Sequence, residues 1–400
     1  MAMHISKSNV RILLIFLVVG FVALDIKWLH GGKHISNYVK GSPKPRFHFL
    51  LPANKANPQL CRTITSALVN GYPAPVLINW GLDVGDDKMN GYDMTTGKNW
   101  GVLQYLRRLP READDELVLM VDAHDTMLQL PFDVAVQRYR AIEVSRPRWL
   151  CSGTVMGPAG DLRRLYERAH QMWTSYDTRD GDQHYFGNIY GRQELGRHRL
   201  RGSRDWVFPL RERYPDDQII FPNAETNHTD YHLGVDLGSS LFQSLNAALM
   251  DMSPIVHSRA ADLEAVDRAH KTHDIYQTPL PFPQDLLDAP PPPLIVPGDD
   301  DHYHGGGGAS PSEPRSWRDV RLWANFRARV IPAVMHFNGV AKLDWKEWWH
   351  KQWWTGRGRE LLRRRTGEPG FALETDAAAN TRMTWDELCA PFESDMFDSN

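Results

Sequence analysis

Asp122 and Asp125 are the residues whose placement most invites chemistry. They close the stretch Leu117-Val118-Leu119-Met120-Val121-Asp122-Ala123-His124-Asp125-Thr126, an apolar run of strand length that turns abruptly polar. A strand buried on both faces reads as continuous Val, Leu, Ile and Met, and open α/β sheets bind ligands just past the carboxyl ends of such strands. Two carboxylates three residues apart at that point offer hard oxygen donors suited to Mg2+ or Mn2+. The ordinary alternative is one Asp capping the next turn and the other lying in solvent.

Other polar groups stand at the ends of predicted elements. Asp182-Gln183 precedes a helical stretch, and an apolar run over residues 330–335 ends in His336-Phe337-Asn338-Gly339-Val340-Ala341-Lys342. Asp122, Asp125 and His336 would form a three-ligand set for Mn2+, with the remaining positions left for water or a substrate diphosphate. Lys98 and Lys342 would neutralise phosphate oxygens, and Gly339 would let a backbone N–H approach them closely. A metal and lysines acting together on a diphosphate is how a UDP leaving group is stabilised. Taken singly, His336 reads equally as a core histidine and Lys342 as a solvated surface lysine.

These groups need elements to position them. The pattern predicts strands over residues 47–51, 75–80, 117–121, 149–156, 233–237 and 330–335. It predicts helices over 59–70, 97–109, 131–144, 160–173, 184–190, 239–250 and 343–366. Alternation of strand and helix through the first 150 residues argues for βαβ units and a parallel sheet. Residues 192–230 read as irregular, and the acidic tail from Gly367 as loosely held. Residues 279–316 hold Pro290-Pro291-Pro292-Pro293, Asp299-Asp300-Asp301 and Gly305-Gly306-Gly307-Gly308, and read as a disordered excursion.

A chain of 400 residues with 42% hydrophobic and 24% charged content is globular and long enough for a full core. A net charge of -3 and no extended basic stripe give no case for nucleic acid. The 14 Trp could stack on sugars or line a membrane interface, though Trp is more often simply core. The 3 cysteines, Cys61, Cys151 and Cys389, include no CxxC pair, so a structural zinc site is not expected, and at most one disulfide can form. Near the N-terminus, Lys7 and Arg11 precede the uncharged apolar run 12–24. With flanking residues out to Leu29 it approaches a short membrane span. A cleaved signal peptide shares this pattern, but no small-x-small cleavage site follows. An uncleaved anchor with its basic end cytoplasmic is therefore preferred, and the sequon Asn227-His228-Thr229 agrees with a luminal body.

In order and surroundings these pieces resemble the glycosyltransferase domain of the collagen lysyl hydroxylase and procollagen galactosyltransferase group, especially its fungal relatives. The pieces carrying the likeness are Leu51-Pro52-Ala53-Asn54, Gly97-Lys98, Val121-Asp122-Ala123-His124-Asp125, Ser152-Gly153-Thr154-Val155-Met156-Gly157, Asp182-Gln183-His184-Tyr185-Phe186, the run 235–243 and Val334-Met335-His336-Phe337-Asn338-Gly339. They span roughly residues 46–345. Two features depart from the family: the segment 140–149 is short, and Cys151 stands where an Asn is usual.

The resemblance implies a GT-A (Rossmann-like) α/β fold, a mixed, mainly parallel sheet flanked by helices, using Mn2+ and a UDP-sugar. Asp122, Asp125 and His336 would be the metal ligands. Pro52, Ala53 and Asn54 would meet the uridine end, with Asp122, Ala123 and the His124 backbone near the nucleotide. Lys98 and Gly339, Val340, Ala341 and Lys342 would hold the diphosphate, and Asp182 and Asp236 would face sugar or acceptor. The expected organisation is a cytoplasmic tail and signal anchor (1–29), a stem (30–45), a glycosyltransferase-like domain in two parts (46–278 and 317–366) interrupted by the insertion 279–316, and the tail 367–400. The expected activity is transfer of galactose or glucose from a UDP-sugar to a protein or glycan acceptor, in a single-pass type II protein of the Golgi or endoplasmic reticulum membrane. Its rivals are a non-catalytic luminal binding protein of the same fold and, more remotely, a metal-dependent phosphoesterase.

Overall fold

The computed structural model describes residues 46–83, 86, 96–142, 151–175, 181–200, 230–246, 248–293, 316–377 and 382–397. Strand β1 (His48–Pro52) leads into helix α1 (Pro58–Val69). Asn57 caps that helix by accepting the Leu60 N–H at 2.8 Å, and Pro58 stands at the first helical position, where its missing N–H costs nothing. Strand β2 (Val76–Ile78), helix α2 (Gly97–Arg108) and strand β3 (Leu117–Val121) follow. Next come the short β4 (Thr126–Leu128), α3 (Phe132–Ala141), β5 (Thr154–Pro158), α4 (Ala159–Ser175) and α5 (Asp182–Leu200).

The main sheet has six strands in the order β11-β10-β2-β1-β3-β5, where β10 is Leu373–Thr375 and β11 is Arg382–Met383. The pairs β10–β2, β2–β1 and β1–β3 are parallel, while β3–β5 and β10–β11 are antiparallel. The protein is thus α/β with a mixed sheet flanked by helices. The period-two pleat explains why β1 to β3 read as unbroken apolar runs. Leu50, Ile78, Val118 and Met120 pack on one side with Val102, Leu106, Leu162 and Leu165 of α2 and α4. Phe49, Leu51, Leu77, Leu119 and Val121 pack on the other with Leu60, Ile64 and Leu68 of α1.

A second, three-stranded sheet has the order β4-β9-β6, with β6 Phe242–Ser244 and β9 Val334–His336. A two-stranded ribbon joins β7 (Met252–Val256) to β8 (Arg321–Asn325). Helices α6 (Ala260–Ala269), α7 (His273–Tyr276), α8 (Gln284–Asp288), α9 (Trp345–Trp349), α10 (Gly358–Thr366), α11 (Trp385–Cys389) and α12 (Glu393–Met396) are the remaining described α-helices.

Several expectations need correction. Residues 233–237 form no strand: Asp236 folds the chain back, its Oδ2 accepting the Leu241 and Phe242 N–H groups at 2.6 and 3.0 Å. Nor do residues 239–250 form a helix; Phe242–Ser244 instead pairs parallel with β9, a partner that local sequence cannot reveal. The helix expected over 343–366 breaks between α9 and α10. Residues 192–200 continue α5, where irregular chain was expected. Within the expected disordered excursion, the described stretch 279–293 contains α8, and Asp285 there pairs with the buried Arg138 at 2.6 Å. The acidic tail is not loose. It supplies β10 and β11 to the main sheet, buries Trp385, Leu388 and Met396, and is bonded to α1 by the disulfide Cys61–Cys389. Trp317, Trp345, Trp348, Trp349, Trp353, Trp354 and Trp385 are core, not a sugar platform.

Among the described residues no helix is long and apolar enough to cross a membrane. The expected anchor and stem (1–45), the segment 143–150 and the sequon at Asn227 lie outside the described residues.

Candidate metal centre

The parallel strands β1, β2 and β3 all run toward one edge of the main sheet and end there in Pro52-Ala53-Asn54, Asn79 and Asp122. Strand β9 reaches this edge by pairing antiparallel with β4, which sets His336 opposite Thr126. The Phe337 N–H donates to the Asp125 carbonyl at 2.7 Å and closes the corner. Two ladders thus bring together residues more than 200 positions apart in the chain.

Asp122, Asp125 and His336 each offer a donor atom within 4.8 Å of the other two. His336 Nε2 lies 3.5 Å from Asp122 Oδ2 and 3.4 Å from Asp125 Oδ1, yet makes no aligned hydrogen bond although it is buried. Donors of an octahedral shell with bonds of ~2.1 Å stand roughly 3 Å apart when adjacent and about 4.2 Å when opposite. The triad is therefore close enough to share a single cation, and the buried, unaligned Nε2 is free to serve as one of its ligands.

Gly153 sharpens the fit. It lies just before β5, where its carbonyl accepts the Asp122 N–H at 2.8 Å. A Cβ there would sit 2.3 Å from His336 Cε1 and 2.6 Å from Asp122 Oδ2, so only glycine lets the backbone press against the triad. On the far side of the imidazole, Cys151 Sγ lies 3.2 Å from His336 Nδ1, orienting the ring.

The surrounding charges are paired. Lys98 Nζ lies 2.7 Å from Asp122 Oδ1 and 2.6 Å from Asp182 Oδ2, and Lys342 Nζ lies 2.9 Å from Asp125 Oδ2. Burial would depress the Lys98 and His336 pKa values, but the facing carboxylates outweigh it and raise both, His336 to about 11. Burial likewise opposes ionisation of Asp122 and Asp125. His336 leads the opposing effects in both, and together with Lys98 for Asp122 and Lys342 for Asp125 it holds the two below the usual carboxylate range.

Pro52, Ala53, Asn54, Lys98, Asp122, Ala123, His124, Asp125, Asp182 and Lys342 line one cavity of about 360 Å³, together with Asn79 and Leu82. His336 does not line it but faces Asp122 and Asp125, which do. Gly339, Val340 and Ala341 form the turn leading to Lys342 but do not line the cavity: Ala341 is buried and Val340 exposed. Gly339 has φ +59, and a Cβ would lie 2.0 Å from Asn246 Oδ1, so its glycine serves the turn. Asp236 lines a different cavity of about 680 Å³, with Arg138 and Asp285.

The sequence singles out neither Asn79 nor Gly153, and gives Cys151 no role. Asn79 stands at the carboxyl end of β2, where the strand-edge rule could have found it. Gly153 belongs to a stretch noted for resemblance and not for chemistry, and Cys151 stands out only as a departure from that resemblance and as a cysteine. Compared with known proteins, the chain matches no family model and no curated protein.

Proposed function

We propose that this protein is a Mn2+-dependent glycosyltransferase that moves a hexose, galactose or glucose, from a UDP-sugar to a protein or glycan acceptor. The observation that carries the reading is the convergence of Asp122, Asp125 and His336 at a cavity whose other charged groups are Lys98, Asp182 and Lys342. Two carboxylates and one imidazole make a mixed oxygen–nitrogen set that suits Mn2+ better than the all-oxygen shells preferred by Mg2+. The ordered motifs described above supply the resemblance that singles out UDP-sugars among diphosphate substrates.

A bound Mn2+ would supply charge stabilisation to a diphosphate leaving group. The chain's own residues do the rest. Lys98, screened from water between Asp122 and Asp182, and Lys342, at the cavity mouth, offer ammonium groups to diphosphate oxygens. Pro52, Ala53, Asn54 and Asn79 form the wall left for the nucleoside. Asn54 is held there by donating to the Leu82 carbonyl at 2.9 Å. Asp182 is the carboxylate assigned to the sugar or acceptor hydroxyl, while Asp236, in a separate cavity and engaged by two backbone N–H groups, is given no part. The proposed setting is the lumen of the secretory pathway, behind an N-terminal anchor. The Cys61–Cys389 disulfide supports an oxidising compartment.

Calorimetric titration of Mn2+ and UDP into wild type and Asp125→Ala, with UDP release measured from UDP-galactose and UDP-glucose, tests the reading. Wild type should bind UDP only when Mn2+ is present, and the variant should bind neither. Equal UDP binding in both proteins, or none in wild type at saturating Mn2+, would overturn it.

A further inference from the structure

Asp376 follows β10 in the C-terminal segment, beyond every motif of the resemblance, and does not line the cavity. Its carboxylate nevertheless receives the chain at the cavity wall: Oδ2 accepts the Asn79 N–H at 2.9 Å and Oδ1 the Trp80 N–H at 3.2 Å. Asn79 has φ +64, in the left-handed region that non-glycine residues rarely occupy, so the turn needs something to hold it.

From Asn79 the connection continues. Its Nδ2 donates to the Gly97 carbonyl at 2.8 Å, at the first residue of α2, and the next residue is Lys98. One turn on, a Cβ on Gly101 would lie 2.1 Å from Asn79 Oδ1, so α2 closes directly onto that amide. The far end of the helix is tied to the same residue, because Arg108 donates to the Asp376 carbonyl at 3.1 Å. Asp376 is itself fixed to β2 by donating its N–H to the Leu77 carbonyl at 2.9 Å. The segment bearing it is anchored by the Cys61–Cys389 disulfide and by Arg62 donating to the Asp395 carbonyl.

We propose that Asp376 is a positioning residue for the cavity, holding the Asn79–Trp80 turn, whose Asn79 lines it, and, through Asn79 and Gly97, setting where the Lys98 ammonium meets Asp122 and Asp182. The inference rests on the glycosyltransferase reading only for the identity of the ligand.

The test compares full-length wild type, Asp376→Ala and Asp376→Asn with Leu373→Ala, which removes a buried β10 side chain outside this chain of bonds. UDP affinity at saturating Mn2+ should fall about tenfold in Asp376→Ala and less in Asp376→Asn, which retains one acceptor oxygen. Mn2+ affinity without nucleotide should stay within about threefold of wild type. Leu373→Ala should lower Tm without changing UDP affinity. Lys98 reactivity toward acetic anhydride, read by mass spectrometry against Lys342 and Lys351, should rise only in the Asp376 variants. If Asp376→Ala does not fold, Asp376→Asn carries the same comparison. If wild type fails to bind UDP, the glycosyltransferase reading falls and the Lys98 reactivity alone decides the positioning role. Equal behaviour of the Asp376 variants and Leu373→Ala in Lys98 reactivity would overturn the proposal.

Discussion

Two buried imidazoles sit near opposite ends of strands β1 and β3, and both reach carboxylates, yet their surroundings differ in kind. His48 opens β1 and is 2% exposed; its Nδ1 lies 2.8 Å from the Tyr105 hydroxyl and its Nε2 2.7 Å from Glu116 Oε2. Each ring nitrogen has one partner, and burial outweighs the Glu116 charge and lowers the pKa. His336 is 4% exposed, but its Nε2 faces two carboxylates at 3.5 and 3.4 Å with neither aligned, and both carboxylates line a cavity. Here the anionic partners outweigh burial and raise the pKa to about 11. An imidazole whose nitrogens are each closed by one hydrogen bond is structure. One that faces more carboxylate acceptors than it can align with, next to a cavity, is the candidate for a ligand shared with them.

Replacement separates the two most strongly. His336→Ala should weaken Mn2+ binding by about 100-fold or more, because a metal ligand matters at least as much as the groups behind it. His48→Ala should leave Mn2+ affinity within about twofold and lower folding stability by about 2 kcal/mol, the scale of leaving buried partners unpaired. Calorimetry and denaturant unfolding read the two quantities. If both variants lose metal affinity alike, the distinction between them collapses.

The two histidines should also tilt the pH dependence in opposite directions. In the metal-free protein the folded pKa of His336 is raised, so the stability it contributes is full below pH 6.5 and lost as pH rises toward about 11. The folded pKa of His48 is lowered from 6.5, so its contribution is full above that value and lost as pH falls through the folded pKa. In Tm measured against pH, His336→Gln should flatten the alkaline limb and His48→Gln the acid limb. Metal must displace the His336 proton, so Mn2+ affinity should climb about tenfold per pH unit between roughly pH 6 and 8. A pH-independent affinity would contradict a protonated His336.

Gly153→Ala probes packing instead of charge. The added Cβ has no room beside His336 and Asp122, so the triad must spread. Mn2+ affinity should drop about tenfold, with a stability cost of about 1–3 kcal/mol typical of overpacking. Among the described residues no glycine presses on His48 in this way, and an unchanged affinity in Gly153→Ala would show that the triad need not hold its present spacing.

How much of this was legible in the sequence depends on how local the cause is. The β3 run and its terminal Asp122 were visible because a strand buried on both faces writes itself as continuous apolar residues. The helix of Leu162, Leu165, Ala169 and Met172 was visible because its buried positions recur every three or four residues. His336 could be joined to Asp122 on the chemistry of the donor set, though the β4–β9 pairing that joins them has no sequence signature. Leu241 and Leu245 imitate helical spacing, but a ladder with β9 was available and prevailed. The tail misled by its acidity, since Trp385, Leu388, Cys389 and Met396 are spaced to bury against the core. Asp376 was invisible because its function lies in two backbone N–H groups nearly 300 residues earlier.

The smallest effect is expected at Lys342, and it tests whether exposure grades the site. Its side chain is 60% exposed, against 13% for Lys98, although both ammonium groups touch a triad carboxylate. A solvated ion pair contributes at most ~1 kcal/mol and is screened by salt. Lys342→Ala should therefore hardly change Tm and should reduce UDP affinity only about three- to fivefold, less at high ionic strength. Lys98→Ala leaves Asp122 and Asp182 facing each other without a cation in a buried setting and should cost far more. A Lys342→Ala loss as large as that of His336→Ala would mean that the cavity mouth closes over its ligand, and that Lys342 in the bound state is as screened from water as Lys98.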